Sequence, residues 1–77
     1  MKSPNLAFGK IIAGLRLSAR LSQEELADRA TIHRTYVSQI ERGLKSPTIV
    51  MLFRLAKALD TTPSKILQQL EIDIGAA

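Results

Sequence analysis

Ser22, followed three residues later by Glu25, is the feature that most limits what this chain can fold into. In such a pair the hydroxyl and the carboxylate each satisfy an orphan backbone donor at a helix start. A fresh helix therefore opens at position 22 and runs to about Ala30. Further marks of the same kind follow. Gly43 suits the left-handed position that ends a helix, Thr48 can cap another through about Leu59, and Thr62 with Pro63 supplies the cap and first-turn residue of a last one, through about Leu70. Ahead of Ser22, Phe8, Ile11 or Ile12, and Leu15 recur at helical spacing from about Asn5 to Ala19, with Lys10 and Arg16 towards the outside. Five helices are expected.

A chain of 77 residues without cysteine must bury one compact core and cannot rely on disulfides. Its 45% apolar content allows that, and with only two Phe, one Tyr and no Trp the core has to be Leu, Ile, Val and Ala. Such a composition suits packed helices better than sheets rich in Val and Tyr. The expected fold is all-α, a five-helix bundle forming a single domain over residues 1–77.

The segment "TIHRTYVSQIERG", residues 31–43, has two faces with different chemistry. At ~100° per residue Val37 and Ile40 fall side by side, with Thr35, Ser38, Gln39 and Arg42 opposite and Arg34 at the edge. The polar face has no acid and several hydrogen-bonding groups. The formal charge of +4 gathers around it: between positions 29 and 45 lie Arg29, Arg34, Arg42 and Lys45 against Glu41 alone, whereas residues 61–77 set Lys65 against Glu71 and Asp73. That balance suits a polyanionic partner.

Other classes find little support. The longest strongly apolar run, Ile49 to Phe53, is far too short to cross a bilayer, and the N-terminus lacks the apolar core of a signal peptide, so the chain reads as soluble and cytoplasmic with no membrane partner. His33 has no second His and no Cys with which to complete a metal site. Glu24 and Glu25 diverge by ~100° on a helix, which argues against an acid-base pair, and no Ser-His-acid set or phosphate-cradling loop is present. No enzymatic activity, metal or cofactor is expected.

A short helix, a three-residue turn and a second helix with a polar outer face form a helix-turn-helix unit, here over about residues 22–43. "LSQEELADRA", "YVSQIERG", "SPT" and "LFRLAKAL", at these separations, resemble the phage Cro and repressor type of helix-turn-helix domain over roughly residues 8–70. "RTYVSQIERG" is also similar to the small controller proteins of restriction-modification systems. The resemblance implies a transcriptional regulator that occupies an operator in double-stranded DNA and excludes or recruits RNA polymerase. Arg34, Thr35, Ser38 and Gln39 match the base-reading positions. Their chemistry agrees, since Arg offers two donors to guanine O6 and N7 and the Thr methyl packs on that of thymine. Gln23 matches a phosphate-contacting position, with Arg42 and Lys45 holding the flanking backbone. Arg16 and Glu41 match a structural ion pair between the first and third helices. A reading from another class is an antitoxin-like protein-interaction module with secondary DNA binding.

Two positions depart from the family pattern. Arg20 and Thr31 stand where many relatives carry glycine. A β-branched residue in the left-handed region costs ~1–2 kcal/mol, so the turn is expected to adopt other dihedrals. Beyond the helix-turn-helix, the region of about residues 48–74 is expected to form a homodimer. Ile66, Leu67, Leu70 and Ile74 recur at helical spacing, Val50 projects away from Leu52 and Leu55, and a core of this size has no room for all of them.

Overall fold

The computed structural model describes residues 3–75 and contains five helices and, among those residues, no strand: α1 (Pro4–Ser18), α2 (Gln23–Ala30), α3 (Arg34–Glu41), α4 (Ile49–Ala58) and α5 (Pro63–Asp73). The expected starts hold at atomic level. Glu25 N–H donates to Ser22 Oγ at 3.0 Å while Ser22 N–H donates to Glu25 Oε1 at 2.9 Å. Thr48 and Thr62 accept from the amides of Met51 and Lys65. Ser3 caps α1 in the same way, and α5 runs three residues beyond the expected Leu70.

The helix ends overturn one expectation. Thr31 sits in the left-handed region at φ +58°, ψ +49°, and Arg20 and Asp60 also have positive φ, each at +60°. These residues and Gly43 close their helices by one device. The amide of the next residue donates to the carbonyl five positions back, as Leu21 to Arg16 O (3.0 Å), Ile32 to Ala27 O (3.0 Å), Leu44 to Gln39 O (2.9 Å) and Thr61 to Ala56 O (2.9 Å). Those bonds satisfy the last carbonyls of each helix. Burial of Leu21 and partial burial of Ile32 hold the chain in a geometry that a side chain at Arg20 or Thr31 disfavours. The turn keeps its left-handed dihedrals without glycine.

α1 packs on α3 and α5, α2 on α3 and α4, and α4 on α5. Each helix sends a fully buried residue to the centre: Ile12, Leu26, Val37 with Ile40, Leu55, and Ile66. Ile66 is thus a correction. It is only 2% exposed and belongs to the core, because the α5 face that carries it lies against α1 and α4 rather than against solvent. Leu70 packs against the same cluster and Ile74 is half-buried, which leaves Leu67 and Val50 as the exposed members of the expected interface.

Gly9 sets how closely α1 approaches α3. A Cβ there would collide with the backbone carbonyl oxygens of Ile40 and Glu41, the latter at 2.6 Å. Gly43 is doubly required, by its φ of +74° and by Leu6, whose Cδ1 would lie 2.8 Å from a Cβ.

Candidate nucleic-acid interface

α3 is anchored from below by Val37 and Ile40, which are buried as their spacing predicts. The opposite surface carries Arg34 and Thr35, both exposed, and Ser38 and Gln39, both half-exposed. His33 supplies the extended residue before the helix but makes no side-chain cap. The amides of Tyr36 and Val37 donate to His33 O, at 3.0 and 3.3 Å, which leaves those of Arg34 and Thr35 to whatever approaches that end, together with the positive end of the helix dipole. Arg42 closes α3 and is exposed, its Nε 3.4 Å from Ser38 O, and Lys45 is exposed in the loop that follows. Ser46 Oγ donates to Asn5 Oδ1 at 2.7 Å, tying that loop to α1. The four expected base readers and Arg42 thus share the outward face of α3, and Lys45, the other expected backbone cation, is exposed three residues beyond it.

The remaining residues form the joint that fixes α3. Arg16 Nε donates to Glu41 Oε2 at 2.7 Å and Nη2 donates to Oε1 at 3.0 Å, a two-pronged contact, while Nη1 donates to Leu21 O at 2.9 Å. The side chains are 13% and 7% exposed. The hydrogen bonds to Glu41, reinforced by its charge and opposed by burial, hold the Arg16 guanidinium even more firmly protonated than usual. Gln23 joins them, its Nε2 donating to Glu41 Oε1 at 3.1 Å. One amide proton is thereby committed inside the protein and one remains for an outside acceptor.

Tyr36 carries no expected role, yet it packs against the core from α3 with its hydroxyl oxygen shielded. The Thr48 backbone approaches that oxygen too loosely to complete a hydrogen bond, and burial pushes the phenol above its usual range. Helix projection places Tyr36 beside the apolar stripe and gives no hint of the unpaired oxygen. Ile49 and Phe53, 70% and 59% exposed, are a second omission: with Val50 they make the start of α4 an apolar surface. Among the described residues no helix is long and apolar enough to cross a membrane, and no three His, Asp or Glu side chains gather as a metal site requires.

Two helices joined by a tight left-handed turn, the second presenting an acid-free polar face, define a helix-turn-helix domain. The chain belongs to the helix-turn-helix family of transcriptional regulators, whose model matches residues 12–66. It is 40% identical over 63 residues to the control protein C.BamHI of Bacillus amyloliquefaciens, covering 80% of this chain and 78% of that one. The restriction-modification controller protein C.AhdI of Aeromonas hydrophila superposes with a TM-score of 0.81 at 35% identity, over 84% of this chain and 98% of that one. The controller protein C.Esp1396I, solved as a tetramer in complex with its natural 35-base-pair operator, superposes with a TM-score of 0.84 at 28% identity, over 96% and 97% of the two chains. The family is one of regulators rather than enzymes.

Proposed function

We propose that the protein binds an operator in double-stranded DNA as a homodimer, with α3 in the major groove, and regulates transcription by excluding or recruiting RNA polymerase there. The observation that carries this reading is the α3 surface: Arg34, Thr35, Ser38 and Gln39 on one acid-free face, flanked by Arg42 and Lys45. Arg34 reads a guanine edge, Thr35 packs on a thymine methyl, and Ser38 and Gln39 reach bases one turn further along. Arg42, Lys45 and the free amide proton of Gln23 hold phosphates. The Arg16–Glu41–Gln23 joint stops α3 from pivoting, so these side chains meet the groove at a set angle.

Self-pairing uses the exposed start of α4, with Phe53 and Ile49 added to Val50, and Leu67 on the neighbouring α5; Leu70 and Ile74 contribute only what the core leaves uncovered. A symmetric pair places two recognition helices about 34–36 Å apart, the spacing of successive major grooves on one face of DNA. Selection from a random duplex library should return a palindrome. Phe53→Asp should shift the sedimenting species to the monomer and lower operator affinity while α3 is untouched. A palindrome-free output, or a Phe53→Asp variant that stays dimeric, counts against this assembly.

A further inference from the structure

Arg29 at the end of α2 and Arg54 and Lys57 on α4 line a cleft of about 630 Å³ together with Ala30, Thr31, Ala58 and Asp60. Among the described residues, the one ion pair within 4 Å is Arg16–Glu41, so none of these three cations has a carboxylate in direct contact, although Glu25, one turn before Arg29, feels its charge. Arg54, exposed in the cleft lining, donates from Nη1 to Thr31 O at 3.3 Å, which fastens it to the left-handed turn that leads into α3 and leaves its other guanidinium donors without a protein partner. Two of the cations have an ordinary explanation, since Arg29 and Lys57 lie in the last turns of their helices and offset the negative dipole ends there. That accounts for neither Arg54 nor the convergence of all three on one concavity.

We propose that this cleft is an anion site, separate from the α3 face, that takes the di- or triphosphate group of a small phosphorylated ligand. The charge fits, three positive groups against one carboxylate, and the volume lies within the range of small-ligand sites. Arginine forks pair with phosphate oxygens two at a time. An acidic protein segment fits less well. Docked partners draw most of their affinity from a large apolar or aromatic anchor, and the apolar lining here is only Ala30 and Ala58. Duplex DNA is too broad to enter a cleft between two helices. The site stands whether or not the operator reading does, because it uses none of the proposed base readers.

The test is a titration of the ¹⁵N-labelled full chain with inorganic tripolyphosphate at constant ionic strength, followed by amide shifts. Saturable shifts are expected at Arg29, Thr31, Arg54 and Lys57. The double variant Arg29→Gln/Lys57→Gln, which leaves the Arg54 bond to the turn intact, should weaken binding at least about tenfold, because a charge-assisted contact is worth roughly that factor or more. Its operator affinity should stay within about twofold, as neither residue lies on α3. Arg34→Ala/Arg42→Ala should have the opposite profile, losing operator binding and keeping the cleft shifts. Shifts confined to residues 34–45, shifts that stay linear at every basic residue, or unchanged binding by the cleft variant would each overturn the site. An oligoglutamate peptide binding more tightly than tripolyphosphate would overturn the ligand class in favour of a protein partner.

Discussion

Replacing Arg16 by alanine removes both prongs of the contact with Glu41 and the bond to Leu21 O. Glu41 is then left with Gln23 as its partner, at 7% side-chain exposure. Breaking a buried pair from one side costs roughly 3–5 kcal/mol because a charge is stranded. Gln23 keeps one hydrogen bond on that carboxylate, so the lower end, about 3 kcal/mol, is the appropriate figure here. A domain of this length has a total stability of about 4–12 kcal/mol, and each kcal/mol moves its midpoint by roughly 4–8 °C. The melting temperature should fall by about 12–24 °C, read by circular dichroism at 222 nm. Arg16→Met/Glu41→Leu should recover most of that loss, since replacing both partners of a buried pair by apolar groups is often neutral. Base preference should survive in both variants at temperatures where they remain folded. An Arg16→Ala midpoint within about 3 °C of the parent, or a double variant less stable than Arg16→Ala, would refute the view that α3 is held by a desolvated pair.

Arg34→Ala should cost about 1–3 kcal/mol at the preferred site and relax selectivity at one base position, whereas Lys45→Ala should weaken all duplexes alike and lower the salt slope by about one. Fluorescence anisotropy on specific and scrambled duplexes at several salt concentrations separates the two roles, and matching profiles would remove the distinction. Thr31→Gly should stabilise the fold by roughly 0.5–1 kcal/mol, the relief of left-handed strain less the added entropy of glycine in the unfolded chain, while Thr31→Ala should not; equal midpoints for the two variants would show that Thr31 carries no strain. The backbone amide and then the hydroxyl of Ser22 hold the Glu25 carboxyl below its ordinary value of 4.5. A folded-state value below the unfolded one contributes stability that is present above about pH 4.5 and lost as pH falls through the folded value, so melting in acid should be less steeply pH-dependent in Glu25→Gln than in the parent.

What could be read in the sequence was local chemistry, and what could not was decided across helices. Ser22 with Glu25, Thr48, and Thr62 with Pro63 act within one turn, so the helix starts are written beside the residues that form them. Three of the helix stops are not. Arg20, Thr31 and Asp60 take a conformation that favours glycine, and what holds them there is a hydrogen bond from the following residue to the preceding turn, joined at Arg20 and Thr31 by the packing of Leu21 and Ile32 on the core. Glycine marks such a stop in a sequence only when the site has nothing stronger to enforce it. The four positions facing outward on α3 were legible because Val37 and Ile40 settle which way that helix faces.

On α5 the same reasoning misassigned Ile66. Periodicity groups it with Leu67, Leu70 and Ile74, but a helix with neighbours on two sides buries the middle of its apolar stripe and exposes an edge. α4 makes the complementary case. Its apolar residues outnumber what one face can bury, and only the packing on α2 and α5 reveals that Leu52, Leu55 and Ala56 go inside while Ile49, Val50 and Phe53 stay out. An apolar surface that the core cannot use, on the helix that follows the Lys45 loop, is the one proposed above to pair with a symmetric copy. The same packing that hides Ile66 therefore leaves Phe53 free, and the two residues should respond oppositely to truncation. Ile66→Ala should lower the melting temperature at any protein concentration, as a core cavity does. Phe53→Ala should lower it chiefly where the parent is dimeric, because the contacts proposed for its exposed side chain belong to the pair.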